Sequence, residues 1–298
     1  MPDNLTTTVN DVLIQANQLL TQTGIDSPRL DAELLLAEVL KCRRVDLMVH
    51  PEWPVREDQR RTFNSLIERR LNYEPVAYIL GRKEFMGLTF TVNSSVLVPR
   101  PETELLVERV MDFVQDNPGN YTLLDLCTGS GCIAVSCAQM CPSLKVTASD
   151  ISPAALDVAR ENITRILTPP QTVELIQSDL FAELQRRHFD FILSNPPYIA
   201  DADMEHLSQD VKNHEPHLAL NGGPKGIVIL EKIVHEAPDH LNPGGWLFLE
   251  IGSDQGEVLR DLLHASGQYE LKSINILRDL AKNIRFAIAR KDPIIKDL

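Results

Sequence analysis

Asn195-Pro196-Pro197-Tyr198 follows Ser194 and the apolar run 189–193, so a strand-like segment hands over directly to an amide, two proline rings and a phenol. The prolines fix φ and remove two N–H donors, which leaves a rigid turn with free carbonyls. The amide oxygen of an Asn and a backbone C=O can accept both hydrogens of a planar –NH2 group, while an aromatic ring lies on its face. The plainer reading of the same residues is a Pro-rich turn closing a buried strand. The choice between the two depends on what lies upstream.

There the run 122–126 enters a glycine-rich turn, Cys127-Thr128-Gly129-Ser130-Gly131, followed by an apolar helical pattern. Glycines let the backbone turn tightly and approach a ligand, and a helix N-terminus offers unpaired N–H groups. Such a turn alone is a weak signal. Here Asp150 closes the next strand, 19 positions after Gly131, where a carboxylate can take both hydroxyls of a ribose. Ala134 stands where a dinucleotide fingerprint would carry its third glycine. A nucleoside ligand without a pyrophosphate fits that difference, and S-adenosyl-L-methionine is the candidate, with Asp179 near the adenine amine. Asp150 and Asp179 could each be simple strand-end caps, but three such features at successive strand ends favour a site. Asn195 ends a further strand at the same carboxyl edge, where open α/β sheets bind ligands. Together these features point to methyl transfer onto a planar nitrogen, with Asn195, Pro196, Pro197 and Tyr198 as the candidate catalytic residues.

The elements that must position these residues follow from periodicity. Thr8 and Asp11 form a capping-box pattern ahead of a helical run; Pro28 opens a second helix, 45–49 a short third and 56–71 a fourth. Residues 1–75 therefore read as a small helical domain. Residues 76–101 read as a linker with a β-hairpin, its strands broken by the turn Asn93-Ser94-Ser95. Residues 102–298 alternate strands and helices, with strands at 122–126, 145–149, 173–177, 189–194 and 246–251, then an antiparallel pair at 269–276 and 284–289. The fold class is α/β, with a sheet covered on both faces.

Composition narrows the partners. Hydrophobic residues make up 43% and charged residues 24%, as in globular proteins, and 29 basic against 42 acidic residues give a net charge of −13. That balance argues against tight non-specific binding to a phosphate backbone, although Arg60, Arg61, Arg69 and Arg70 form a local cluster. Of five cysteines, Cys127, Cys132, Cys137 and Cys141 crowd one segment without a C-x-x-C pair, and the eight histidines are scattered, so no metal site is expected. Reduced thiols, the lack of a targeting pattern and the lack of a membrane-length apolar run point to the cytoplasm.

Several stretches carry a more specific resemblance: 28–35 (Pro-Arg-Leu-Asp-Ala-Glu-Leu-Leu), 74–81 (Glu-Pro-Val-Ala-Tyr-Ile-Leu-Gly), 85–88 (Phe-Met-Gly-Leu) and above all 98–104 (Val-Pro-Arg-Pro-Glu-Thr-Glu). With the glycine turn and Asn195-Pro196-Pro197-Tyr198, the protein resembles class I S-adenosylmethionine-dependent methyltransferases, and more narrowly the release factor glutamine methyltransferases of the HemK/PrmC type. The match spans nearly the whole sequence. It implies a Rossmann-like seven-stranded mixed sheet with a small N-terminal helical domain joined by a β-hairpin linker. It also implies methylation of the side-chain amide (N5) of the glutamine in the Gly-Gly-Gln tip of class-1 peptide chain release factors. By the same resemblance Thr128, Gly129, Ser130, Gly131, Asp150 and the Asp179-Leu180 pair line the cofactor site, with Cys127 and Asn195 at its margin, and Asn195 to Tyr198 hold the glutamine. Glu215-Pro216 and Gly222-Gly223 also match; Pro224-Lys225-Gly226-Ile227 and Asn283-Ile284 depart from the family pattern. The alternatives are methylation of an exocyclic base amine or of a ribosomal-protein glutamine. Base methylation would require extruding a base and gripping phosphates, for which the sequence shows neither a recognition insertion nor a basic surface. The N-terminal helices are expected to recognise the body of the protein substrate, with the hairpin as a hinge.

Overall fold

The computed structural model describes residues 7–293. It divides into two compact units, one of residues 7–81 with Ser208–His214, the other of Arg82–Leu207 with residues 215–293.

The first unit is helical: α1 (Val9–Gln22), α2 (Pro28–Leu40), α3 (Arg44–Val49), α4 (Glu57–Leu71) and α5 (Val76–Leu80). The capping box at its start is present, with Asp11 N donating to Thr8 Oγ1 at 3.3 Å and Thr8 N donating to Asp11 Oδ2 at 2.9 Å. Val12, Leu20, Leu35, Leu36, Phe63 and Ile67 meet in its core. Of the arginine cluster, Arg61 and Arg69 are exposed and Arg60 is half-buried. Arg70 is buried against Asp31 at 2.7 Å, Arg60 pairs with Glu57, and Arg69 pairs with Glu74. Buried and paired, the Arg70 guanidinium is not available to a phosphate. Helix α5 falls where only a linker is expected, because it is too short to show a helical period; it ends on Gly81 at φ 69°.

The second unit opens with the hairpin β1 (Arg82–Phe85) and β2 (Leu88–Thr91). Its turn is Met86-Gly87, both at positive φ, and not Asn93-Ser94-Ser95. A two-residue turn of this kind matches the twist of paired strands, and the Asn93 segment instead leads into an unpaired stretch whose Val96 and Val98 are buried. Phe85 and Phe90 of the hairpin enter the sheet's core, and Asn162 bonds the Thr91 backbone on both sides, so the hairpin is packed into this unit. Then follow α6 (Glu104–Asp116), β3 (Tyr121–Leu126), α7 (Cys132–Met140), β4 (Leu144–Asp150), α8 (Pro153–Ile166), β5 (Val173–Gln177) and β6 (Phe189–Ser194). The short α9 (Gln209–His214) belongs to the first unit. After it come α10 (Val228–His240), β7 (Leu241–Glu250), α11 (Gly256–Ser266), β8 (Asn275–Arg278) and β9 (Ile284–Arg290).

The seven strands run in the order β5-β4-β3-β6-β7-β9-β8, with β3 to β7 parallel and β9 antiparallel to both neighbours. This is a class I methyltransferase sheet. Alternate residues face opposite cores: Leu123, Phe191 and Leu193 pack with α6 and α7, while Leu124, Ile192 and Leu249 pack with α10 and α11. In the last strand pair β8 starts later than expected, while β9 falls where expected. A 3-10 turn at Leu271–Ser273 replaces the start of the 269–276 strand, because Ser273 turns back to bond the Glu270 carbonyl through both its N–H and its hydroxyl. The order changes direction between β3 and β6, and the crevice at the carboxyl ends of such strands is where open α/β sheets take ligands. Among the described residues no helix is long and apolar enough to cross a membrane.

Candidate active site

One cavity opens at that crevice. It is lined by Cys127, Thr128, Gly129 and Ser130 after β3, by Asp150 and Ile151 after β4, by Ser178, Asp179 and Leu180 after β5, and by Asn195 and Pro197 after β6. Four strand ends thus bring together residues spread over 71 positions of sequence. Val96, Pro99, Arg100 and Thr103 form another wall, and Pro216, Leu218 and Ala219 a further one. Three of the residues singled out from sequence do not line the cavity: Gly131, Pro196 and Tyr198.

The backbone around the cavity is unusual where it meets that space. Cys127 (φ 61°) and Leu180 (φ 49°) are non-glycine residues in the left-handed region, a conformation held against local preference and concentrated at functional sites. The two glycines of the turn differ in purpose. A Cβ on Gly129 would meet nothing within 4 Å, so the cavity comes right up to its backbone, whereas a Cβ on Gly131 would press on Ala159 of α8 at 3.2 Å. Gly129 leaves open space at the cavity, and Gly131 allows close packing on α8.

Asp150 braces this turn. Its Oδ2 accepts from Gly129 N and its Oδ1 from Ser152 N, both at 2.9 Å, and each oxygen keeps a lone pair. Burial raises its pKa, against the lowering by those N–H groups. Below it Asp125 is fully buried, accepting from Thr128 Oγ1 at 2.5 Å and Ala134 N at 3.0 Å. Burial pushes Asp125 up to about 7, and the Asp150 charge adds to the rise. The Ser149 hydroxyl, buried on the cavity wall, has no hydrogen-bond partner in the protein. A cavity with a carboxylate that has spare acceptors, an unpaired hydroxyl and a side-chain-free glycine fits a ligand that carries a ribose. The nearby thiols play no part. Burial raises Cys132 to about 12 and also raises Cys137 well above the ordinary thiol value, so both stay protonated and inert.

On the β6 side, Asn195 Nδ2 lies 3.2 Å from Thr103 Oγ1, which donates at 2.6 Å to Glu250 Oε2. The Tyr198 hydroxyl donates to the other oxygen of Glu250 at 3.3 Å, and the ring packs against the α10/α11 core. Tyr198 is therefore tethered from below the turn. Thr103 and Glu250 join the site although neither is among the candidate site residues; Thr103 lies in the 98–104 stretch that carries the resemblance, and Glu250 lies in no motif. Thr103 occupies the N-cap position of α6 but makes no cap bond, its hydroxyl being committed to Glu250. Glu250 is the one charged residue in the buried run 246–251, an available signal that periodicity alone does not weigh.

Behind the turn, residues 220–226 lie backbone to backbone with it. Ile199 N donates to Leu220 O and Gly222 N to Ile199 O, and Gln255 Nε2 donates to the carbonyls of Tyr198 and Gly226. Glu215, buried, accepts from Arg100 Nη2 at 2.8 Å and Val98 N at 3.3 Å, which ties two cavity walls together. Gly226 packs directly on the turn: it has φ 69°, and a Cβ there would overlap the Tyr198 carbonyl oxygen. Gly226→Ala is expected to cost about 1–3 kcal/mol of stability and to displace the Asn195 turn. Denaturant unfolding alongside transfer kinetics would check this; wild-type values in both would refute the contact.

Comparison with known proteins agrees with this geometry. Residues 11–81 match the family described as PrmC N-terminal domain, and residues 101–224 the methyltransferase small domain. Among solved structures, the fold is similar to a methyltransferase from Pyrococcus furiosus (TM-score 0.50, 22% identity, 76% of this chain and 97% of that one). It is also similar to the hMettl16 catalytic domain (TM-score 0.58, 14% identity, 76% and 85%). In sequence, the protein is 41% identical over 275 residues to the release factor glutamine methyltransferase of Coxiella burnetii, covering 92% of this chain and 96% of the relative. It is 37% identical over 285 residues to that of Koribacter versatilis, covering 95% and 99%. With near-complete coverage on both sides, and a methyltransferase sheet carrying the site, the chain belongs to the release factor glutamine methyltransferase family.

Proposed function

We propose that this methyltransferase transfers a methyl group from S-adenosyl-L-methionine to the side-chain amide nitrogen of the glutamine in the Gly-Gly-Gln motif of class-1 peptide chain release factors. The observation that carries this reading is the single cavity that joins the glycine turn and Asp150 to Asn195 and Pro197. The relatives' names support a release-factor glutamine as the substrate; its place in the Gly-Gly-Gln motif follows from the family resemblance.

Gly129, Asp150, Asp179 and Leu180 would hold the cofactor, with Asp150 on the ribose hydroxyls and Asp179 on the adenine amine. When bound, the cofactor supplies an electrophilic methyl group on a sulfonium. A carboxamide nitrogen is a poor nucleophile because its lone pair is delocalised into the carbonyl. Asn195 Oδ1 accepts an N–H hydrogen of the glutamine amide, with the Pro196 carbonyl, which lies outside the cavity lining, as the second acceptor once the amide is seated; this fixes its plane and favours positive charge developing on nitrogen. Positioning of this kind supplies up to about 7–11 kcal/mol of a barrier. Tyr198 holds the turn through Glu250. The proton leaves to water. The helices of residues 1–75 we assign to the body of the release factor.

The test is incubation of the protein and methyl-labelled S-adenosylmethionine with a release factor, with the same factor lacking the Gly-Gly-Gln glutamine, and with DNA. Label on the first alone is expected. Label on DNA, or on the glutamine-less factor equally, would overturn the substrate assignment.

A further inference from the structure

The Thr103 hydroxyl has one hydrogen, and at 2.6 Å it is given to the Glu250 carboxylate. Towards Asn195 the Thr103 oxygen can then only accept. Asn195 must present its NH2 end to Thr103, as the 3.2 Å contact has it, and its Oδ1 is the end left for the cavity. That polarity is the one needed to accept from a substrate amide. An Asn turned the other way would set NH2 against NH2.

We propose that Thr103 and Glu250 form a positioning relay, in which the Glu250 carboxylate dictates which end of the Asn195 amide faces the substrate. The inference rests on the reading that Asn195 accepts from the glutamine amide. Neither residue touches the reacting atoms. Tyr198 donates to the second oxygen of Glu250, so a carboxylate there is satisfied on both sides and orders the turn at two points, Asn195 and Tyr198.

A relay of this kind reverses when its acid is protonated. Glu250 would then donate to Thr103, whose hydrogen is released towards Asn195 Oδ1, and the amide loses the constraint on its orientation. The groups facing Glu250 set where this happens. Burial raises its pKa to about 7; the Thr103 and Tyr198 hydrogen bonds and the Arg285 guanidinium lower it, and Glu102 raises it. The Cys132 thiol also lies within its field but stays neutral. As the pH falls through that value, the ordered fraction falls with it, so turnover should decline on the acid side.

The experiment is transfer to a release factor at saturating cofactor and substrate, from about pH 5.5 to about pH 8.5, for the wild type, Glu250→Gln, Thr103→Val and Thr103→Ser. Saturation removes any effect of Asp150 on cofactor affinity. The wild-type kcat is expected to rise through one acid limb near 7. Glu250→Gln and Thr103→Val should each lower kcat about 10- to 100-fold, the effect of one charge-assisted hydrogen bond, and abolish the limb. Cofactor affinity should be unchanged, and Thr103→Ser should recover most of the rate and restore the limb. A limb that survives in Glu250→Gln would assign it elsewhere, to Asp125 for example, and overturn the relay; so would wild-type turnover in Thr103→Val, the near-isosteric variant that carries the test if Glu250→Gln does not fold. Absence of transfer by the wild type at every pH would instead fail the functional reading itself.

Discussion

Asn195→Ala is expected to lower transfer to the release factor by about 100- to 1,000-fold while S-adenosylmethionine binds as before. The magnitude is that of removing one preorganised polar group from the point where charge develops. Asn195 shares the cavity with the cofactor-side residues, so the contrast between the two readouts is what identifies its role. If its amide served mainly to pack the turn, stability would fall with activity. The packing of that turn comes instead from the Tyr198 tether, the Gln255 bonds and the close approach of Gly222 and Gly226, none of which passes through the Asn195 side chain. Truncation leaves Thr103 hydrogen-bonded to Glu250. Single-turnover transfer and calorimetric cofactor titration on the same preparation would decide the matter, and unchanged turnover would sink the clamp.

The parts of this arrangement that could be read from sequence are those encoded locally. The central strands β3 and β6 are short apolar runs because parallel strands bury both faces, and β3 to β6 each carry their chemistry at or just after the carboxyl end: Cys127 to Gly131, Asp150, Asp179 and Asn195. Strand order needs no further information to put those ends side by side, since they share one carboxyl edge. What could not be read is encoded by pairs distant in the sequence. Thr103 and Glu250 are 147 positions apart, and Thr103 in sequence looks like an ordinary helix start. Arg70 looks like surface charge until Asp31, 39 positions away, buries it. The hairpin turn is misleading for a local reason: Met86 at φ 51° is not a residue that advertises positive φ, whereas Asn93-Ser94-Ser95 carries the composition of a turn without the geometry of a hairpin.

The fold also explains why the site tolerates three buried acids. Asp125, Asp150 and Glu250 stand at the carboxyl ends of β3, β4 and β7, and the pKa of each is raised chiefly by burial. Buried carboxylates that serve only the fold would be paired with a cation or replaced at little cost. These are held by hydroxyl and backbone N–H donors, which orient them without neutralising them. They stand at two parts of the site, the first two at the glycine turn and the last behind the Asn195 amide.

Asp150→Ala should show the converse of Asn195→Ala. Two hydrogen bonds from ribose hydroxyls to a carboxylate are together worth at least about 3 kcal/mol, so cofactor affinity is expected to fall on the order of 100-fold. At saturating cofactor, kcat should stay within about tenfold, because the Asn195 turn is held at Tyr198 by Gln255 and Glu250 and not by Asp150. The substitution also frees Gly129 N and Ser152 N, and a loosened turn would weaken binding in the same direction. Asp150→Asn separates the two contributions. Its amide NH2 would face one of the two N–H groups that the carboxylate now accepts, so the brace is damaged, yet one acceptor for a ribose hydroxyl remains. An affinity for Asp150→Asn between those of the wild type and Asp150→Ala supports ribose recognition by the carboxylate. Equal cofactor binding by Asp150→Ala and the wild type would remove Asp150 from the cofactor site and leave it as a brace for the glycine turn alone.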